Sequence, residues 1–161
     1  MKTLILLRHG KSDWSRDLPD QDRPINDRGR NAATRMAGWM AGEGLVPDRM
    51  LISSATRTQE TAARLLAEWG DIARETYEGL YLAEPDTILD TVQRSGRGET
   101  VLVLGHNPGL ERAAVLLSNG PCPAMMPTCA AAVLRFGVAR WSDVAEGGGT
   151  LLHHVTPKSL G

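Results

Sequence analysis

A chain of 161 residues, 42% apolar and 23% charged, is long enough to bury a core and has the make-up of an ordinary globular protein. Its formal charge of −1 supplies no overall field for nucleic acid or an anionic membrane, so any bound anion must be met by a local cluster of cations. No apolar run is long enough to span a bilayer, and Arg8 interrupts the N-terminal run before a signal-peptide core could form, which points to a cytoplasmic protein.

Strand-like and helix-like segments alternate along the chain, the pattern of an α/β domain. Residues 2–8 read as the first strand. Leu4, Ile5, Leu6 and Leu7 show no polar alternation, so both faces of that strand are expected to be buried. Arg8 and His9 follow without transition, and Gly10 breaks the strand. A cation and an imidazole at the mouth of a buried strand are costly unless something there uses them. Residues 12–25 are polar, contain Pro19 and Pro24, and read as a loop. Asn26 or Asp27 can cap a helix over 28–41, with Ala33, Met36, Ala37 and Met40 on one face and Gly42 and Gly44 ending it. A second short buried strand covers 49–54. The helix predicted over 56–70 has Thr56 and Gln59 at capping-box spacing, turns Ala62, Leu65, Leu66 and Trp69 inward, and stops at Gly70.

A third strand is expected near 74–78, then a helix over 84–96 with Ile88, Leu89 and Val92 inward. Residues 100–107 form a strong central strand. The helix over 107–120 starts with a candidate Asn107 cap and Pro108 at its first position. Residues 121–129 form a loop holding Cys122 and Cys129. These are the only cysteines; their spacing fits no metal or redox pattern, so two reduced thiols are expected. Residues 130–137 and 149–157 are the last two strands, joined through a Gly147–Gly148–Gly149 turn. The expected fold is a single three-layer α/β/α domain over residues 1–161. Its central sheet is mostly parallel, with one antiparallel strand near an edge.

Three strand ends carry unusual polar residues. The first ends in Arg8, His9 and Gly10. The second ends in Ser53 and Ser54 and runs into Thr56 and Arg57 at a helix start. The central strand ends in Gly105, His106 and Asn107, also at a helix start. Ligands of open α/β sheets bind outside the carboxyl ends of parallel strands. If these strands are parallel neighbours, Arg8, His9, Arg57 and His106 converge beside a helix N-terminus. Two arginines, two histidines and free helix N–H groups suit a dianion, and phosphoryl is the natural choice because arginine matches its oxygens with two hydrogen bonds at once.

The segments "LLRHGKS", "SSATRTQETA" and "VLVLGHNPG", in that order and each at a strand-to-loop junction, resemble the signature of the histidine phosphatase superfamily, the phosphoglycerate-mutase-like proteins. "PINDRGRNAA" also fits that family's helix-start segment. The resemblance implies that His9 is the nucleophile and forms a phosphohistidine intermediate. It implies that Arg8, Arg57 and His106 hold the phosphoryl oxygens, with Gly10, Ser15 and Asn107 as further phosphate-side candidates. Neighbouring arginines should hold His9 neutral, while a bound dianion would favour protonated His106. No metal or cofactor is implied, since fixed cations take that place.

Departures from the family pattern narrow the branch. About twenty residues separate the third and central strands, too few for an inserted lid. The mutase-type Leu-x-Glu, whose Glu acts as general acid/base, is replaced by Leu80-Tyr81-Leu82; Glu78 and Glu84 flank the gap and are the substitutes to weigh. An alkoxide leaving group needs a proton from an acid, whereas imidazole leaving a phosphoramidate is far less basic. The chain therefore resembles the short bacterial phosphohistidine phosphatases, and the expected substrate is phosphohistidine on a signalling or phosphocarrier protein. The alternatives are a phosphatase of small phosphorylated metabolites, a non-catalytic phosphate-binding module, and a mutase. Nucleic acid and membranes are not expected partners. His153 and His154, adjacent on a strand, point to opposite faces and so make no simple metal site. Arg23, Arg28, Arg30 and Arg35 read as a solvated helix face, with a basic rim for acidic partners as the other reading.

Overall fold

A computed structural model describes residues 1–160. The strands are β1 (Lys2–Arg8), β2 (Arg49–Ser53), β3 (Ala73–Tyr77), β4 (Thr100–Gly105), β5 (Ala131–Phe136) and β6 (Gly149–Val155). The helices are α1 (Asp27–Gly42), α2 (Thr56–Trp69), α3 (Pro85–Ser95) and α4 (Gly109–Leu117). One six-stranded sheet runs in the order β3-β2-β4-β1-β5-β6. β1, β2, β3 and β4 are mutually parallel; β5 is antiparallel to both β1 and β6, so it is the one reversed strand, next to the edge as expected. No helix is long and apolar enough to cross a membrane among the described residues.

Period-two alternation divides each central strand between two cores. Leu4, Leu6, Val101 and Val103 pack with Ile88, Val92, Leu110 and Leu117 of α3 and α4. Ile5, Leu7, Leu102 and Leu104 pack with Met36, Met40, Ala62 and Leu65 of α1 and α2 on the other face. This is why the strands read as unbroken aliphatic runs: the sheet has helices on both sides. Leu66, Leu89 and Trp69 sit half-buried at the edges of these cores.

Several local expectations change. α2 has no capping box: its N-cap is Ala55, and the Gln59 side chain donates instead to the Ser53 carbonyl (2.9 Å) and Thr76 Oγ1 (3.0 Å). Thr58, not Thr56, turns its hydroxyl back to the Ser53 and Ala55 carbonyls. α4 begins two residues later than expected. Pro108 is its N-cap rather than its first residue, after a cis Asn107–Pro108 bond, and Asn107 reaches the helix through Glu111, accepting from its N–H (3.3 Å) and donating to its carboxylate (2.9 Å). Asn26 caps α1 as expected, accepting from Gly29 N at 2.9 Å.

The loop after β1 is fixed against the start of α1. Asn26 N donates to the Lys11 carbonyl (2.8 Å), Asp13 N donates to the Pro24 carbonyl (2.8 Å), and Ser12 bridges Ile25. Two glycines allow this approach: a Cβ on Gly10 would lie 2.8 Å from the Gly29 carbonyl oxygen, and one on Gly29 would lie 2.6 Å from that of Lys11. Gly29→Ala should therefore destabilise the protein by about 1–3 kcal/mol through backbone displacement. Gly38→Ala, exposed in the interior of α1 with nothing within 4 Å, should stabilise it by about 0.5–1 kcal/mol. Urea unfolding of the two variants checks both signs.

Candidate active site

The register of the parallel strands sets the site. Arg8 of β1 lies opposite Gly105 of β4, and Ile52 of β2 lies opposite Leu104, so three carboxyl ends finish in one row. Beyond that row the chain delivers His9, Ser54 and His106, with Arg57 on the first turn of α2. His9 is fixed through its backbone on both sides: its N–H donates to the Gly105 carbonyl (3.2 Å), and its carbonyl accepts from Cys129 N (2.8 Å). Arg8, His9, Arg57 and His106 all line one cavity of about 330 Å³, and the two histidines and Arg57 are almost wholly buried.

The two imidazoles lie with ring centroids 5.3 Å apart. His9 Nδ1–H donates to the Gly10 carbonyl at 2.7 Å, which leaves Nε2 as the ring nitrogen with a free lone pair. His106 Nε2 is 2.7 Å from Ser53 Oγ, and its buried Nδ1 has no partner among the described residues. Burial first, then the Arg57 and Arg8 cations, push the His9 pKa down to about 4 against the bond to Gly10. Burial, then His9 and Arg57, push that of His106 down to about 3. Without a bound anion both rings are therefore neutral, and for His106 burial outweighs the field of Asp20.

Both arginines are held by acceptors from outside the strands. Arg8 Nη1 donates to the Met126 carbonyl (3.1 Å), and its buried Nε has no partner. Burial lowers the Arg8 pKa, opposed by the field of Glu111. Glu111 also organises the loop that supplies that carbonyl. Its carboxylate accepts from Met126 N (2.9 Å) and Asn107 Nδ2 (2.9 Å), and Asn107 Nδ2 donates to the Met126 carbonyl as well. Arg57 grips Asp20, donating from Nη1 to its carbonyl (2.7 Å) and from Nη2 to its carboxylate (3.0 Å). The Tyr81 hydroxyl donates to the same carboxylate, and the Tyr81 ring stands edge-on to His106. That bond, followed by Arg57, holds the Asp20 carboxyl below its usual range, and Asp20 in turn raises the Tyr81 pKa.

Other expected residues fall differently. Asn107 lines the cavity with its side chain engaged as above. Gly10 donates its N–H to Thr61 Oγ1 (3.0 Å), and its missing side chain makes room for Gly29, not for a ligand. Ser15 is exposed and outside the cavity, its N–H turned to Asp13; Ser12 and Lys11 line the wall instead. Glu78 and Glu84 are also exposed and outside it, since one opens the 3₁₀ turn Glu78–Leu80 and the other caps α3. Leu82, with φ 51°, lines the cavity where a carboxylate had been sought. Trp14 lies at the rim, stacked on Arg23 at 3.5 Å. Asp20 is the site residue that sequence reading missed. A buried arginine calls for a carboxylate, but Asp13, Asp17, Asp20 and Asp22 share one loop and nothing in the sequence singles out Asp20.

Comparison with known proteins identifies the family and the fold. The family model of the histidine phosphatase superfamily (branch 1) matches residues 4–81. An uncharacterized protein of Mycobacterium tuberculosis (strain H37Rv) is 34% identical over 94% of this chain and 100% of its own length. A structure from Nakamurella multipartitia, provisionally designated phosphohistidine phosphatase SixA, superposes with a TM-score of 0.85 at 27% identity, over 97% of this chain and 96% of that one. The protein histidine phosphatase SixA complexed with tungstate shares the fold, with a TM-score of 0.84 at 23% identity over 99% of each chain.

The neutral histidines have a measurable consequence. In NMR titrations the His9 and His106 rings should stay neutral through pH 6 and protonate only near 4 and 3. Because the unfolded rings bind protons already below about 6.5, their contribution to stability is complete above that pH and is lost as pH falls toward 4. Titration of either ring near 6.5 would contradict the described burial. Asp20→Asn should bring the Tyr81 phenol back down toward 10.0, read by ultraviolet difference titration.

Proposed function

The chain belongs to the histidine phosphatase superfamily and is a phosphatase; on that premise we propose that it removes phosphate from phosphohistidine on a protein, through a phospho-His9 intermediate. The carrying observation is a neutral His9 whose Nε2 is free, set among fixed cations in a cavity that presents Leu82 where the mutase pattern places an acid. The described residues would act as a single domain without a lid, on a signalling or phosphocarrier protein of the cytoplasm.

In the first step His9 Nε2 attacks phosphorus, and the bond from phosphorus to the substrate nitrogen breaks. The substrate ring, protonated on its other nitrogen, keeps that electron pair and departs as neutral imidazole, so it needs no proton from an acid. Arg8 and Arg57 would hold the phosphoryl oxygens. Arg8, which lines the cavity, would offer its guanidinium edge, and Arg57 would exchange part of its hold on Asp20 for the anion. His106, at 5.3 Å from His9, would face the same oxygens and gain a proton as the dianion offsets its burial. In the second step water attacks phosphorus, the bond to His9 Nε2 breaks, inorganic phosphate leaves, and the ring returns to its neutral form. Asp20 is the one carboxylate on the cavity wall and would take the proton of that water once Arg57 has turned part of its hold to the anion.

A small phosphate ester is the second reading. Rapid mixing of the enzyme with a 32P-labelled phosphohistidine peptide should yield an acid-labile phosphoenzyme, absent in His9→Ala. Turnover of the phosphohistidine peptide should exceed that of a phosphoserine peptide, whose leaving group is an alkoxide, by about a hundredfold or more, the lower limit for one general acid. Equal rates on the two would favour the ester reading, and no phosphoenzyme from either donor would favour a binding module.

A further inference from the structure

A second groove of about 550 Å³ adjoins the reaction cavity, which is itself about 330 Å³. Lys11 and Thr128 line both, so the two meet along that wall. The other charged groups of the groove are Arg28 and Arg35, seven residues apart on one face of α1, and Lys158 on the 3₁₀ turn Pro157–Leu160. No carboxylate lines it.

The charge pattern of this wall differs from much of the surface. Arg30, Arg49, Arg74, Arg94 and Arg140 each pair with an acid, either within the same local segment or on the neighbouring strand. Lys11, Arg28 and Lys158 are exposed and have no ion pair among the described residues. Asp27, next to Arg28 in sequence, is already paired with Arg30. Arg35 donates to the Pro157 carbonyl and so fixes the C-terminal turn against α1. Four like charges around one groove repel one another and have no counter-charge there, in a chain whose net charge is −1. Such a wall gains when an anionic surface covers it.

We infer that this groove docks acidic residues flanking the phosphorylated side chain of a protein substrate. The inference rests on the phosphoprotein reading above. The groove is larger than the cavity that receives the phosphoryl group, and it meets that cavity at Lys11. A phosphorylated residue seated over His9 therefore lays its neighbours across Lys11 and toward Arg28 and Lys158. Its apolar linings, Ala32, Pro127 and Pro157, are too small a surface to hold a lipid chain. Each exposed charge contributes little alone, but several of one sign steer an acidic partner and make its capture salt-dependent.

The test uses two synthetic peptides, each with one phosphohistidine, flanked either by Asp and Glu or by Gln and Ser, together with free phosphohistidine. The wild type should favour the acidic peptide by about tenfold in kcat/KM, and added salt should erase the preference. Arg28→Glu/Lys158→Glu should lose the preference and keep the wild-type rate on free phosphohistidine. Arg28→Gln/Lys158→Gln should fall between. A wild type that does not discriminate between the peptides, or a reversal variant that keeps the preference, overturns the groove while leaving the catalytic reading intact. Titration with the unphosphorylated acidic peptide separates the opposite case: binding lost in the variant, without hydrolysis of either phosphopeptide, supports the groove and removes the substrate assignment. Tighter binding of a single-stranded oligonucleotide than of the acidic peptide would overturn the assignment to protein.

Discussion

Four basic side chains gathered on one cavity wall, three of them almost wholly buried, are the constraint around which this molecule is arranged. Arg8, His9, Arg57 and His106 meet at the carboxyl ends of three adjacent parallel strands. Burial and neighbouring cations both work against the charged forms of Arg8, His9 and His106. The histidines yield by becoming neutral. Each arginine meets an acceptor brought from elsewhere, the Met126 carbonyl for Arg8 and Asp20 for Arg57.

Much of the surrounding architecture supports those acceptors. The Met126 carbonyl is in place because Glu111 on α4 and Asn107 before it hold the preceding loop. Asp20 is in place because the loop after β1 is bound to α1 at Lys11, Ser12 and Asp13, an approach that Gly10 and Gly29 allow. Tyr81, from the turn after β3, closes the other side by donating to Asp20 and standing against His106. The proposed chemistry uses the same conflict. A phosphoryl dianion offers the neutral imidazoles and fixed guanidinium groups a counter-charge that the cavity wall itself supplies only through Asp20.

The parts of the fold legible in the sequence were those governed by burial period. β1, β2 and β4 lie between helices on both faces, so their aliphatic runs are unbroken and their ends are sharp. α1 showed its buried face and its Asn26 cap, because both are local. The start of α2 was misread because capping-box spacing does not say which carbonyl Gln59 will find. Ser53 and Thr76 compete for it through the sheet. The start of α4 was misread because Pro108 accepts either the cap or the first helical position, and only the path after β4 chooses between them.

By itself the sequence marked the four basic groups that the fold gathers at one cavity. Arg8, His9, Arg57 and His106 stand at strand and helix junctions that local patterning marks, and the absence of an acid at Leu82 is equally plain in the chain. Tertiary structure alone decided what surrounds them. Asp20 rather than Asp13, Asp17 or Asp22 meets Arg57, Ser12 rather than Ser15 reaches the cavity, and Glu78 and Glu84 stay outside it. It also gathered Lys11, Arg28, Arg35 and Lys158 onto one wall from three separate stretches of chain. The physical reason is the range of the forces. Strand and helix boundaries follow from neighbours a few residues away, whereas the pairing of a buried charge depends on which distant backbone the fold carries to it.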